Sequence, residues 1–237
     1  MTHSPIICAI DTTDIERARL MVEQVEGSVG AIKLGLEFFT ANGVSGVKQV
    51  MAQSNVPLFL DLKFHDIPNT VAKAIEATAG IDTFMMTVHV SGGQTMLRRA
   101  TDASMRVAET TGQTRPLIIG VTILTSMDQD DLMMIGLRDT LNDQVKRMAD
   151  LAQSAGLDGV VCSPYEISLI RKVCGHDFKL VVPGVRPEGS SADDQKRVMT
   201  PKEAYARGAD YLVIGRPITA NADPKKAAQM IASSLAS

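Results

Sequence analysis

Short apolar runs alternate along the chain with longer segments in which apolar residues recur at a helical period. The runs are rich in Val, Ile, Leu and Phe, and this composition predicts strands. Eight strands are predicted, over residues 6–11, 31–35, 57–64, 83–90, 116–124, 157–163, 179–186 and 211–215. Strands that alternate with helices are typical of a parallel sheet covered by helices.

The segments of helical period include 14–26, 69–79, 94–111, 141–155 and 201–207. A glycine follows each of them, as expected at a helix C-terminus: Gly27, Gly80, Gly112, Gly156 and Gly208. We find no Pro/Ser-rich linker and no break in composition between the eight strand-helix units. The sequence therefore predicts the α/β class and one domain over residues 1–237, a single (β/α)8 TIM barrel.

Composition and charge exclude several classes of protein. Hydrophobic residues make up 45% of the chain and charged residues 22%, as in an ordinary globular protein. The net charge of −3 argues against a nucleic acid partner, which needs a basic surface. The start of the chain, MTHSPIICAID, has no basic segment, and its apolar run is too short for a signal peptide or a membrane span. We therefore predict a cytoplasmic protein without a membrane partner.

The three cysteines, Cys8, Cys162 and Cys174, have neither CxxC nor CxxH spacing. We predict free, mostly buried thiols instead of a disulfide framework or a zinc site.

Chemistry in such barrels gathers at the carboxyl ends of the strands, and the third predicted strand carries charges there. It reads PLFLDLKFHDIPNTV, and Asp61 and Lys63 are two residues apart, so both project into the barrel from an extended strand. A buried ion pair stabilises a fold weakly at best, which favours a functional role over a structural one. Asp11 and Lys33 end the first two strands and add a second pair. Alternating charges of this kind can hold a strong field with neither a metal nor an organic cofactor.

Carboxylates at positions 61 and 66 favour the ammonium form of Lys63. A lysine that forms a Schiff base must be a free amine, whereas an ammonium can donate a proton. We therefore predict that Lys63 acts as a general acid.

The segment DLKFHDIPNTV resembles the signature of bacterial-type orotidine 5′-monophosphate decarboxylases. The similarity continues through Asp11, Lys33, VTILTS, PGVRP and IGRPI, and it covers essentially the whole chain. The resemblance implies a cofactor-free lyase of de novo pyrimidine biosynthesis that converts orotidine 5′-monophosphate to uridine 5′-monophosphate and CO2. It implies that Lys63 protonates C6, that Asp61 lies near the departing carboxylate and that Asp66 holds the ammonium.

The resemblance also implies the substrate contacts. Asp11 and Lys33 would address the ribose hydroxyls, and Thr125 would contact the pyrimidine edge. The remaining predicted substrate-binding residues are Thr70 and, for the 5′-phosphate, Arg186, Gln195, Gly215 and Arg216, with Gln195 also reaching towards the pyrimidine.

Phosphate-binding loops of barrels often follow strands seven and eight, which agrees with this placement. The loop PGVRPEGSSADDQKRV after strand seven has little apolar content and predicts a mobile lid. Taken alone, Arg216 is equally compatible with a solvated arginine at the rim, and Gln195 with a loop residue that makes no contact.

His89 ends the fourth strand, and we predict a hydrogen-bonded interior histidine, because the sequence supplies no set of partner ligands for a metal. No role is assigned to His65, Thr122 or Ser126.

Two alternatives stay open. The DxKxxD pattern also occurs in 3-keto-L-gulonate 6-phosphate decarboxylases, and a magnesium-dependent sugar-phosphate decarboxylase or epimerase would be expected to end its second strand in a carboxylate, where this chain has Lys33. The other alternative is a nucleotide-binding barrel without catalysis, in which Lys63 would have no purpose.

The resemblance further implies a homodimer in which Asp66 completes the partner's site. Asp66 is three residues beyond Lys63, about 10 Å along an extended chain. Pro68 follows closely, and a return of Asp66 to its own Lys63 is therefore unfavourable.

Overall fold

The computed structural model describes residues 4–187 and 199–235, which form a closed parallel barrel. Each strand pairs with the next in the sequence, and β1 pairs with β8. The strands are β1 (Ile6–Ile10), β2 (Ala31–Gly35), β3 (Leu58–Phe64), β4 (Thr83–His89), β5 (Leu117–Val121), β6 (Gly159–Val161), β7 (Lys179–Pro183) and β8 (Tyr211–Ile214). The predicted (β/α)8 barrel is confirmed.

Helices connect the strands and cover the outside of the barrel. Within the two described stretches they are α1 (Ile15–Val25), α2 (Leu36–Met51), α3 (Pro68–Ala77), α4 (Gly93–Thr111), α5 (Gln129–Met134), α6 (Leu141–Ser154), α7 (Ile167–Cys174), α8 (Pro201–Ala206), α9 (Arg216–Thr219) and α10 (Pro224–Leu235).

The predicted strands over 116–124, 157–163 and 179–186 are too long at their carboxyl ends. Strand β5 ends at Val121 and β7 ends at Pro183. Ile123 and Val185 lie beyond these ends and are still buried. Apolar residues therefore indicate burial here, and they continue beyond the last residue that pairs with a neighbouring strand.

Most of the predicted glycines do end helices. Gly112 has a left-handed φ of 70°, and its N–H donates to the carbonyl of Ala108. Gly27, Gly156 and Gly208 also have positive φ. The prediction for Gly80 is wrong, because α3 already ends at Ala77, where the Thr78 hydroxyl donates to the carbonyl of Ile75 at 2.7 Å.

Two apolar layers follow from the alternation of side chains along each strand. One lies inside the barrel and consists of strand residues: Ile7, Ala9, Ala31, Phe59, Met85, Ile119, Val181 and Val213. The other joins the opposite faces of the strands to the helices. Asp11, Lys33 and Asp61 continue the inner positions of β1, β2 and β3, so the charged residues form the top of the inner layer.

Cys8, Cys162 and Cys174 are free and buried, as predicted. In the part of the chain that the structure describes, none of the helices combines the length and the apolar character needed to cross a membrane.

Candidate active site

Four charged side chains form a continuous chain of contacts at the carboxyl ends of β1, β2 and β3. The Lys63 Nζ donates to both carboxylate oxygens of Asp61, at 2.9 Å each. The Lys33 Nζ lies 3.6 Å from Asp61 Oδ2 and 3.6 Å from Asp11 Oδ1. The structure thus brings Asp11, Lys33, Asp61 and Lys63 together with alternating signs of charge.

The backbone at Lys63 is irregular. Among the described residues other than glycine, Lys63 alone has a positive φ, of 49°. The pairing of β3 with β4 also shifts between Leu60 and Phe64. The expectation of a regular extended strand through Lys63 is therefore wrong, although its side chain still reaches Asp61. A left-handed conformation is rare for a residue with a side chain and commonly marks a functional site.

Thr87 on β4 forms hydrogen bonds with both Lys63 and Asp61. Its Oγ1 accepts from the Lys63 backbone N–H at 2.9 Å and donates to Asp61 Oδ1 at 2.9 Å. Thr87 was not among the site residues predicted from the sequence. The available signal was its position two residues before His89, which places it on the inner face of the same strand.

The neighbours of Asp61 decide its ionisation. Burial disfavours the carboxylate, but the charges of Lys33 and Lys63 and the hydrogen bonds from Lys63 and Thr87 outweigh burial and lower the pKa of Asp61 below its usual 3.8. Asp61 is therefore a fixed negative charge between two ammonium groups.

Two histidines lie beside this cluster. The ring centroids of His65 and His89 are 5.3 Å apart. Among the described residues the half-buried His89 ring has this ring contact and no hydrogen bond, so the prediction of a hydrogen-bonded histidine is wrong. Burial, followed by the charges of His65 and Lys63, lowers the pKa of His89. Within residues 4–187 and 199–235, no three His, Cys, Asp or Glu side chains are grouped to hold a metal ion.

Asp66 is not joined to this cluster. Its carboxylate is exposed and accepts from the backbone N–H of Ile67 at 2.6 Å. The described part of the chain contains no hydrogen bond or ion pair between Asp66 and Lys63.

Further predicted substrate-binding residues that the structure describes lie around the same end of the barrel. Gly215 is adjacent to the cluster, since a Cβ built on it would lie 3.9 Å from Asp11 Oδ2. Arg216 follows it, is exposed and begins α9. Thr70 is exposed in the first turn of α3, and Thr125 is exposed after β5.

The segment after β7 is described only in part. The half-buried Arg186 donates from Nη1 to the carbonyl of Val185 at 3.0 Å, and its backbone N–H donates to the carbonyl of Met199 at 3.1 Å. Gln195 and most of the predicted lid lie outside the described residues.

Thr122 and Ser126 follow β5, and Glu166 follows β6. Thr122 is buried and donates to the carbonyl of Val161 at 3.1 Å, so it joins the ends of two strands, whereas Ser126 is exposed. Glu166 was not anticipated: it is buried and accepts from the Ser163 N–H at 2.8 Å. Burial raises the pKa of Glu166 to about 7, against the opposing effect of that hydrogen bond.

The chain is similar to known proteins over nearly its whole length. Residues 4–231 match the family described as "Orotidine 5'-phosphate decarboxylase / HUMPS family". The orotidine 5′-phosphate decarboxylase of Paramagnetospirillum magneticum is 51% identical over 232 residues, 98% of each chain. That of Rhodospirillum rubrum is 52% identical and covers 98% of this chain and 94% of that protein.

A solved structure agrees with this relationship. The crystal structure of orotidine 5′-phosphate decarboxylase from Lactobacillus acidophilus has a TM-score of 0.87 and 34% identity, and covers 99% of this chain and 100% of that chain. The chain, with its Asp-Lys cluster at the mouth of a closed barrel, belongs to the orotidine 5′-phosphate decarboxylase family.

Proposed function

We propose that this protein converts orotidine 5′-monophosphate to uridine 5′-monophosphate and CO2 in de novo pyrimidine biosynthesis. The observation that carries the proposal is the Lys63 ammonium, held 2.9 Å from both oxygens of a buried carboxylate at the mouth of the barrel. The names of the relatives support the substrate, since those proteins are orotidine 5′-phosphate decarboxylases.

In the proposed reaction, the bond between C6 and the carboxylate breaks, CO2 leaves and the electron pair stays on C6. The positive charge of Lys63 stabilises this anion, and its ammonium then transfers a proton to C6. Water returns a proton to the lysine. Asp61 accepts two hydrogen bonds from the Lys63 Nζ and lies near the departing carboxylate, and Asp66 of a second subunit holds the ammonium from the other side.

We assign the substrate contacts as the family resemblance implies. Asp11 and Lys33 bind the ribose hydroxyls, and their contact with the cluster would place the ribose beside the reacting carbon. The 5′-phosphate and the pyrimidine are bound by Arg186, Gln195, Gly215, Arg216, Thr125 and Thr70. The short distance between Gly215 and Asp11 supports adjacent ribose and phosphate sites.

The proposed enzyme needs no cofactor. Lys33 lies between two carboxylates where a magnesium-dependent relative would be expected to present a further carboxylate, and its charge would repel a metal ion. This observation favours the nucleotide decarboxylase over the sugar-phosphate enzyme.

We further propose a cytoplasmic homodimer of one-domain subunits in which Asp66 completes the partner's site. The exposed position of Asp66 supports this arrangement, because its carboxylate is accessible to a second chain. The neighbouring Ile67 is 67% exposed, and Met134 and Ile135, after β5, are similarly exposed at the same end of the barrel. Exposed apolar side chains of this kind are what a subunit interface would cover.

The experiment that tests the proposal follows the loss of orotate absorbance when the pure, EDTA-treated protein is mixed with orotidine 5′-monophosphate. We expect full turnover, because lysines supply the positive charge. Activity that returns only with added Mg²⁺ would favour the sugar-phosphate relative. Tight binding without turnover would favour a binding protein.

A further inference from the structure

The bulge in β3 needs a source of stabilisation. Leu60 and Phe64 pair with Met86 and Val88, so a step of four residues on β3 faces a step of two on β4. Lys63 lies within this step with a φ of 49°. A left-handed conformation of a residue with a side chain is strained, and it persists only where surrounding contacts hold it.

The Thr87 hydroxyl supplies these contacts. A backbone N–H can only donate, so Lys63 donates to Thr87 Oγ1 at 2.9 Å. A carboxylate can only accept, so the single hydroxyl proton of Thr87 goes to Asp61 Oδ1 at 2.9 Å. The direction of both bonds is thereby determined. Thr87 is 0% exposed, and solvent therefore does not compete for either bond.

We infer that Thr87 is a positioning residue of the decarboxylase site, which holds the left-handed backbone of Lys63 and the carboxylate of Asp61 in one fixed arrangement. The inference rests on the proposed function. Thr87 does not touch the reacting atoms and acts through the two residues that do. Small displacements of a proton donor from its acceptor can lower a rate about a hundredfold, so the loss of one hydroxyl is expected to be visible in turnover.

The test compares Thr87→Val with Thr87→Ser. The valine variant has nearly the same shape without the hydroxyl, and we expect kcat to fall about 10- to 100-fold while KM changes less than about threefold. Thr87→Ser retains the hydroxyl and should keep at least about a third of the wild-type kcat. Thr87→Ala carries the same expectation as the valine variant and replaces it if that variant does not fold.

Thr83→Val is the matched control. Thr83 is a buried threonine at the other end of the same strand, where its hydroxyl donates to the carbonyl of Ile81 at 3.2 Å. The control removes a buried hydroxyl of β4 but should leave kcat within about twofold of wild type. Equal losses in Thr87→Val and Thr83→Val, or in Thr87→Val and Thr87→Ser, would overturn the inference.

The pH profile separates positioning from general destabilisation. Lys33, Lys63 and His89 surround Asp61, with Asp11 behind Lys33, and all of them remain in the variant. Loss of the Thr87 hydrogen bond removes a contact that favours ionised Asp61. The acid limb of kcat/KM should therefore move to higher pH in Thr87→Val and stay in place in Thr83→Val. An unmoved limb in Thr87→Val counts against the inference.

A measurement without substrate keeps this inference separate from the proposed function. In protein labelled with ¹⁵N-lysine, hydrogen exchange of the Lys63 amide should be at least about tenfold faster in Thr87→Val than in wild type or Thr83→Val. If the wild type lacks decarboxylase activity, the proposed function fails while the exchange result still decides whether Thr87 holds the bulge. Unchanged exchange at Lys63 would refute the role of Thr87.

Discussion

Asp61 and Glu166 are both buried carboxylates near the carboxyl ends of strands, and they are 8% and 7% exposed. Asp61 lies between Lys33 and Lys63, and its pKa is lowered from 3.8. Glu166 has a backbone N–H as hydrogen-bond donor, and burial raises its pKa to about 7. Two carboxylates of similar burial thus have pKa values that are shifted in opposite directions, and the nearby cations make the difference.

The two shifts have opposite consequences for stability. Because the pKa of Asp61 is lowered, its ion pairs stabilise the folded state above pH 3.8, and this contribution is lost as the pH falls through the lowered pKa. The raised pKa of Glu166 means that the folded state retains a proton which the unfolded state has lost. Its effect is a loss of stability as the pH rises from 4.5 to about 7.

Removal of a cation beside Asp61 is expected to have the greatest effect on activity. Lys63→Ala should lower kcat/KM at least about ten-thousand-fold, since it removes both the proton donor and the charge that stabilises the anion. The protein should stay folded, because Lys33 still faces Asp61. Steady-state kinetics and circular dichroism measure the two effects.

The control for this variant is Lys73→Ala, at an exposed lysine of α3 that pairs with Glu76 at 2.7 Å. It should keep kcat/KM within about twofold of wild type. A covalent adduct at Lys63 after borohydride treatment with substrate would show instead that the lysine forms a Schiff base.

Asp66 is a third carboxylate and, unlike Asp61 and Glu166, it is exposed. Mixed variants test whether Asp66 of one chain contacts Lys63 of another. Lys63→Ala and Asp66→Ala, mixed in equal amounts under conditions of subunit exchange, should recover about a quarter of wild-type activity, since each mixed dimer has one intact site. Mixing without exchange is the control. Recovery no greater than that of the separate variants would rule out a shared site.

Glu166→Gln should remove the pH dependence that Glu166 contributes. We consider the difference in the free energy of unfolding, variant minus wild type. This difference should be about 3 kcal/mol more positive at pH 8 than at pH 4, because glutamine does not ionise. Urea unfolding at a series of pH values measures this difference. A constant difference across the range would show that Glu166 ionises normally in the folded protein.

Arg216→Ala tests a cation at the predicted phosphate site, away from both carboxylates. We expect a loss of about 2 kcal/mol in transition-state stabilisation for the nucleotide, the scale of a charged hydrogen bond. The nucleoside orotidine has no phosphate, and its kcat/KM should stay the same. Arg98→Ala, an exposed arginine of α4, is the control. Equal losses on both substrates would assign Arg216 to the fold.

The barrel itself was predictable, because alternation along the strands and the helical period between them are local properties of the sequence. The inward position of Asp61 on β3 was predicted on this basis. Asp11 and Lys33 were predicted only to end the first two strands, and they lie at inner positions of the barrel. Strand ends were less predictable: Ile123 remains buried after β5 has ended, and hydrophobicity does not distinguish a paired residue from one that is only buried.

Within the candidate site, the sequence indicated which charged side chains lie at the mouth of the barrel, and family resemblance indicated their chemistry. The sequence by itself determined the repeat of eight strands and helices and the position of Asp61 on the inner face of its strand. The tertiary structure alone decided the left-handed turn at Lys63, the two hydrogen bonds of Thr87 and the opposite pKa shifts of Asp61 and Glu166. These features depend on the register between β3 and β4 and on which charges surround a buried group, and both are set only when distant strands meet in the closed sheet.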